Sequence, residues 1–241
     1  MDKAIKILNS KNIKVIVQTK DYYKKIIYNN SWDDAKWNKE LLDMVAFYSR
    51  YRNVVGYHII DEPDDLNYFS KIGKVFNVVK KYDSQRYSYC NILGSDDNIG
   101  INGKYKYSTY LDSYVKNVKP SIISFDRYPA IFANLSPYNN SNFSNARYNA
   151  EKSSYYTTLN MVYSKATKSG IKPMTVLLVS QLHMENFLVG CRNLSQNEIA
   201  FQVSVALALG MKSISYYNYS IVGAKSENNA MLDDNYQPTK H

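Results

Sequence analysis

Short apolar runs rich in β-branched residues alternate with longer amphipathic segments along almost the whole chain. The apolar runs have the composition of strands that are buried on both faces, and they are residues Ile13–Gln18, Val54–Ile60, Arg86–Ile92, Ser121–Phe125, Met174–Ser180 and Ile214–Tyr219. The amphipathic segments carry apolar residues at helical spacing, and they are residues Lys3–Ser10, Asn38–Tyr51, Tyr68–Lys81, Tyr107–Val118, Glu151–Ser169 and Ser195–Leu209. Strands that alternate with helices build right-handed βαβ units, so the pattern predicts an α/β fold around a parallel sheet.

The last predicted helix has the clearest boundaries. Ser195 and Glu198 have the spacing of a capping box, and Gly210 is placed to terminate the helix. The chain has 241 residues, 45% of them hydrophobic, so it can bury one sizeable core, and no shift in composition divides it. We therefore expect a single domain across residues 1–241.

Polar and aromatic residues follow nearly every predicted strand at its carboxyl end. They are Gln18, Asp61, Glu62, Asn91, Asp126, Tyr128, Gln181, His183 and Asn218. A doubly wound sheet that binds nucleotides carries GxGxxG or GxxxxGK after a strand, and neither motif occurs here. A TIM barrel gathers the carboxyl ends of its strands at one mouth, where its chemistry takes place. The distribution of polar residues therefore favours a (β/α)8-type barrel.

The charge and the metal-binding residue types exclude several classes of function. The formal charge is +9, but the lysines are spread over the predicted outer helix faces with no Arg-rich run, so we expect no nucleic-acid partner. No apolar run approaches the roughly 18 residues of a membrane span. Three histidines without HExxH spacing, together with Cys90 and Cys191 far apart, predict neither a metal site nor a cofactor. The oligomeric state and the compartment stay open.

Several of these stretches, in this order, resemble the (β/α)8-barrel glycoside hydrolases of clan A and the related β-galactosidase-like proteins: VVGYHIIDEPDD, YSYCNIL, SIISFDRYP and LGMKSISYYNYS. The resemblance implies that GYHIIDEP is barrel strand 4, with the general acid/base at Glu62. It implies that SFDRYP is strand 6, with Asp126 and Tyr128 lining the sugar pocket. It also implies that ALALGMKSISYYNY is the last helix with strand 8. The implied activity is hydrolysis of O-glycosidic bonds in β-linked carbohydrate, mostly by secreted or periplasmic enzymes.

The chain departs from this family at its ends and at strand 7. Counted back from strand 8, the first strand present is strand 3, so we expect an incomplete barrel of six βα units without the last helix, with open sheet edges. The family carries its nucleophilic glutamate at the end of strand 7. Gln181 follows that strand here, and the nearest carboxylate is Glu185. The residues thus leave three alternatives: a hydrolase, a barrel that binds carbohydrate without cleaving it, or a truncated product without function.

Glycoside hydrolysis requires one protonated carboxyl group and one ionised carboxylate. Glu62 suits the first role, because a wall that includes Tyr57 and Ile59 is expected to desolvate it. The second carboxylate is Glu185 or Asp126. The alternatives without a catalytic role are that Asp61 and Glu62 only cap the following helix, and that Asp126 forms a structural ion pair with Arg127 or Arg147. The remaining predicted substrate contacts are Asp61, His58, Asn91, Tyr128, Gln181, His183, Tyr217 and Asn218, with Trp32 and Trp37 as further stacking faces.

Overall fold

The structure of this protein, a computed structural model, confirms the α/β class. It describes residues 2–18, 34–98, 100–129, 131–133, 145–182, 189–191, 194–219, 227–228, 231–233, 235 and 237–239. The helices are α1 (Asp2–Ser10), α2 (Asp34–Tyr48), α3 (Tyr68–Tyr82), α4 (Tyr107–Val118), α5 (Asn145–Lys168) and α6 (Gln196–Ala208). The strands are β1 (Val15–Gln18), β2 (Val54–Asp61), β3 (Tyr87–Leu93), β4 (Ile122–Asp126), β5 (Ile131–Ala133), β6 (Lys172–Leu178), β7 (Gln181–Leu182), β8 (Val189–Cys191), β9 (Ser213–Tyr217) and β10 (Glu227–Asn228).

Six of these strands form one parallel sheet in the order β1-β2-β3-β4-β6-β9. Each predicted strand corresponds to one strand of this sheet, and helices alternate with them along the chain. The fold is therefore an incomplete α/β barrel, which agrees with the expectation from the sequence. No described helix combines the length and the apolar character that crossing a bilayer requires.

Helix α2 ends earlier than predicted, at Tyr48 rather than at residue 51. The carbonyl oxygens of Ser49 and Tyr51 accept hydrogen bonds from the Arg86 guanidinium, at 3.1 and 2.9 Å. The backbone N–H of Tyr51 instead closes a tight turn on the carbonyl of Tyr48, at 3.0 Å. A distant side chain thus replaces the helical continuation that the local pattern favours.

The chain divides into two compact units. The first comprises Met1–Leu93 and Ile101–Ser124, and its core is aromatic. Phe69 of α3 meets Tyr110 and Tyr114 of α4 at ring-centroid distances of 5.0 and 5.3 Å. All three rings are fully buried, so these two helices are held together by edge-to-face packing.

The second unit comprises Gly94–Gly100 and Phe125–His241. Its helix α6 is tied to strand β6 by a buried amide. Gln202 donates to the carbonyl of Leu178 at 2.9 Å and accepts from the N–H of the same residue at 3.1 Å. The capping box of α6 is present, with the N–H of Glu198 bonded to the Ser195 hydroxyl at 3.3 Å, as predicted.

A second sheet in this unit was not predicted. It is antiparallel, has the order β10-β7-β8-β5, and is built from strands of two or three residues. Strand β6 ends at Leu178, two residues before the predicted end, and Gln181 opens the short strand β7. Runs this short carry no periodic pattern, so a sequence does not reveal them.

Candidate functional site

A β-bulge in strand β2 brings two predicted site residues to one face of the sheet. His58 pairs with Tyr89 of β3 and Asp61 pairs with Asn91, but the register shifts between His58 and Ile60. Residues three apart in a regular strand point to opposite faces. The extra residue of the bulge cancels that alternation, so His58 and Asp61 face the same side while both isoleucines between them are buried.

The side chains on this face form a compact polar cluster. The ring of His58 lies against Tyr89, with centroids 4.7 Å apart, and its Nε2 is 3.9 Å from Oδ1 of Asp61. The two side chains are 15% and 29% exposed, so both are partly accessible to solvent. We call the set His58, Asp61, Tyr89, Asn91 and Ser124 the β2–β4 cluster.

Ser124 fixes the orientation of Asn91 within this cluster. Its buried hydroxyl donates to Oδ1 of Asn91 at 2.9 Å and lies 3.0 Å from the hydroxyl of Tyr89. Because that amide oxygen accepts from Ser124, the Nδ2 group of Asn91 is the end that points elsewhere. The sequence analysis did not predict Ser124 or Tyr89 as site residues. The sequence feature that could have revealed them is a spacing of two residues, which places Tyr89 with Asn91, and Ser124 with Asp126, on one face of a strand.

Glu62 follows the last residue of β2 in an unusual backbone conformation. Its φ is 49°, its side chain is exposed, and its N–H donates to the carbonyl of Asn91 at 2.8 Å. Helix α3 begins only at Tyr68, with Asn67 at the N-cap position. The bland alternative that Asp61 and Glu62 cap this helix is therefore wrong, because both precede its first turn by several residues.

The predicted desolvation of Glu62 is also wrong. Tyr57 and Ile59 are fully buried, and the Tyr57 ring packs against Tyr48 of helix α2. The Tyr57 hydroxyl donates to Asp83 at 2.5 Å, away from the carboxyl end of the strand. Glu62 itself is exposed, so this wall belongs to the core and not to the surroundings of its carboxyl group.

In the second unit, the predicted aromatic residues lie beside strand β6. Tyr128 is 8% exposed and packs with Leu178 and Leu194, and Tyr217 at the end of β9 packs against the same group. The carbonyl of Tyr217 accepts from the N–H of Val179 at 2.7 Å. The peptide bond that joins Tyr217 to Asn218 is cis. Tyr128 is thus largely a core residue.

A buried acid lies close to the strand that ends in Asp126. Asp96, 3% exposed, accepts from the hydroxyl of Ser154 at 2.7 Å, and Arg127 donates to that hydroxyl oxygen at 3.0 Å. A Cβ on Gly94 would lie 2.1 Å from the carbonyl oxygen of Asp126, so only glycine lets this loop pass so close. This network, which the sequence did not reveal, braces the end of β4, where Asp126 is half-buried.

The remaining predicted residues are described in part or not at all. Gln181 lies in β7 and Trp37 in α2, both with their backbone alone described, while His183, Glu185 and Trp32 lie outside the described residues. Within the part of the chain that the structure describes, no group of three or more His, Cys, Asp or Glu side chains is arranged to hold a metal ion.

Comparison with solved structures finds glycoside hydrolases at low sequence identity. A β-galactosidase from the psychrophilic Marinomonas ef1 matches 99% of this chain and 49% of its own, with TM-score 0.65 and 9% identity. A candidate α-L-fucosidase from Bacteroides thetaiotaomicron matches 93% and 66%, with TM-score 0.61 and 9% identity. A β-glucuronidase from an uncultured Clostridium matches 99% and 40%, with TM-score 0.57 and 13% identity.

The chain thus spans from 40% to 66% of the length of these three proteins, and at such identities the likeness shows the fold alone. No protein-family model matches the chain, and no curated protein matches its sequence.

Proposed function

We propose that this chain is a glycoside hydrolase that cleaves O-glycosidic bonds in β-linked carbohydrate, with Glu62 as general acid/base. The observation that carries this proposal is the placement of Glu62. It stands exposed at the carboxyl end of a strand, in a left-handed conformation, beside the β2–β4 cluster. A non-glycine residue held in such a backbone conformation is a marker of functional sites.

The β2–β4 cluster supplies the polar groups that a sugar requires. The carboxylate of Asp61 accepts hydrogen bonds, Asn91 donates through Nδ2, and the ring pair of His58 and Tyr89 offers an apolar face with polar ends. Fixed donors and acceptors beside a proton-donating carboxyl are the arrangement that orients a glycoside for cleavage.

The second carboxylate is proposed from two candidates. Asp126 ends strand β4, and the next residue, Arg127, is held by its hydrogen bond to Ser154 of the Asp96–Ser154–Arg127 network. Glu185 follows the short strand β7. Asp126→Asn and Glu185→Gln, assayed side by side, identify the partner as the variant that loses turnover but still binds oligosaccharide.

The experiment that tests this function is turnover of a panel of aryl β-glycosides by the wild type and by Glu62→Gln. We expect the variant to lose about 10²- to 10⁴-fold in kcat, the usual contribution of a general acid, while sugar binding persists. Glu40→Gln on helix α2 is the matched control and should retain full activity. Equal activity of the wild type and Glu62→Gln would remove Glu62 from the mechanism.

One observation favours a second candidate function, binding without cleavage. Gln181 follows strand β6 at the place where the resembling hydrolases carry a nucleophile, and an amide cannot attack or activate water. If the wild type binds oligosaccharides by calorimetry and turns over no glycoside in the panel, the carbohydrate-binding function replaces the hydrolase.

A further inference from the structure

We propose that Tyr110 is a positioning residue that holds the backbone of Glu62 in its left-handed conformation. This inference rests on the proposed function of Glu62 as the acid/base. It assigns to a buried tyrosine on helix α4 the task of aiming a carboxyl group on the loop after β2.

The left-handed conformation of Glu62 has no local cause. Four described residues other than glycine have positive φ: Asn12, Glu62, Asn102 and Lys119. Asparagine enters this region readily, and Lys119 is the residue that ends helix α4, where a left-handed conformation is common. Glu62 directly follows a strand and has neither reason, so tertiary contacts must impose its conformation.

Hydrogen bonds hold the backbone on both sides of the Glu62 side chain. Before it, the N–H of Glu62 donates to the carbonyl of Asn91 at 2.8 Å. After it, the carbonyl of Pro63 accepts from the hydroxyl of Tyr110 at 2.6 Å. The N–H of Leu93 donates to the same hydroxyl oxygen at 3.4 Å, which leaves the Tyr110 proton directed at Pro63.

The Tyr110 hydroxyl is held firmly in place. Its ring is fully buried, meets Phe69 edge to face at 5.0 Å and stacks on Tyr107 at 5.9 Å. Burial raises the pKa of Tyr110 well above its ordinary value. The hydroxyl therefore stays protonated and remains a donor to Pro63.

The test compares Tyr110→Phe with Tyr114→Phe in the full chain. Tyr114 lies one turn further along α4 and is equally buried, but its hydroxyl adjoins Cys90 and not the Glu62 loop. The first readout is the titration of the Glu62 carboxyl by NMR with ¹³C-labelled glutamate, assigned through Glu62→Gln. The second readout is kcat and KM on the glycoside that the wild type turns over best.

We expect Tyr110→Phe to shift the Glu62 titration midpoint and to lower kcat by about ten- to a hundredfold with KM within about twofold, because a misaimed acid impairs chemistry more than binding. Tyr114→Phe should leave both readouts at wild-type values. A Glu62 titration that is unchanged in Tyr110→Phe, or changed equally in both variants, overturns the proposal. A wild type without turnover defeats the proposed function instead, and the titration still decides the role of Tyr110.

Should Tyr110→Phe fail to fold, substitutions at position 62 test the imposed conformation. Glycine adopts positive φ freely and alanine does not. Glu62→Gly should therefore have an unfolding equilibrium constant at least about threefold lower than that of Glu62→Ala, reflecting the left-handed preference. Equal constants, or a more stable alanine variant, would show that nothing imposes this conformation.

Discussion

Arg86 ties the start of strand β3 to the strand beside it and to the turn before that strand. Its guanidinium makes two hydrogen bonds of 2.9 Å to the carboxylate of Asp83 and donates to three carbonyl groups, those of Val54, Ser49 and Tyr51. The Arg86 and Asp83 side chains are 11% and 4% exposed. All five contacts depend on the planar fork of the guanidinium, which lysine cannot reproduce.

We expect Arg86→Ala to lower the free energy of unfolding by about 3–5 kcal/mol, because it leaves the Asp83 carboxylate buried without its cation. Arg86→Lys should lower the free energy of unfolding by less, since lysine keeps a positive charge beside Asp83. Denaturant unfolding followed by circular dichroism measures both, with Arg52→Ala, at an exposed position, as the control. A loss in Arg86→Ala no larger than in Arg52→Ala would contradict this account.

Helices α3 and α4 approach each other through a glycine. A Cβ on Gly73 would lie 2.2 Å from the carbonyl oxygen of Asn117, a backbone atom that cannot move aside cheaply. Glycine in a helix interior normally costs about 1 kcal/mol relative to alanine. At Gly73 the close approach decides whether alanine stabilises or destabilises the fold, because a Cβ would prevent helix α3 from packing against helix α4.

Gly73→Ala should therefore destabilise the fold by about 1–3 kcal/mol, the usual cost of overpacking, despite its better helix propensity. Asn77→Ala, at an exposed position of the same helix, should be neutral or slightly stabilising. Thermal unfolding of the two variants beside the wild type measures the contrast. If Gly73→Ala raises the melting temperature, the helices have room that the structure does not show.

Among the helices and strands, the sequence predicted the features that depend on residues close together in the chain. It missed the features that depend on contacts between residues far apart in the chain. The spacing of Ser195 and Glu198 predicted the start of α6, and the range of α4 matched at both ends. The bulge that brings His58 and Asp61 to one face is a property of two paired strands, so one strand's pattern could not reveal it. Ser124 likewise became part of the site only through its contact with Asn91 of the neighbouring strand.

For the whole molecule, the alternation of strands and helices predicted the α/β class, since connection rules leave few topologies for such a pattern. The polar residues at the strand ends then favoured a barrel, and only the family resemblance implied that the barrel is incomplete. The sequence also predicts a single domain, whereas the chain packs as two compact units, so unfolding experiments are the test of this prediction. A chain that unfolds as one domain gives coincident transitions with every probe.

Alkaline unfolding is a property of the whole chain, because both units bury tyrosines. Burial raises the pKa of Tyr110 and Tyr114 in the first unit and of Tyr155 in the second, from an ordinary value of 10.0. Above pH 10.0 these groups ionise in the unfolded chain but stay neutral in the folded one. The folded state then holds more protons, so its stability is complete below this pH and falls as the pH rises above it.

Each such tyrosine should contribute a loss of about 1.4 kcal/mol per pH unit above its unfolded pKa. We expect Tyr155→Phe to reduce the slope of unfolding free energy against pH by this amount, whereas Tyr82→Phe, at an exposed position, should leave the slope unchanged. Urea titrations at several alkaline pH values, read by tyrosinate absorbance and by circular dichroism, measure both slopes. Tyr155 belongs to the second unit, so two domains would give a biphasic transition in which Tyr155→Phe changes the pH slope of only one phase. A pH slope equal to that of the wild type would contradict the burial of the Tyr155 hydroxyl and place it in contact with solvent.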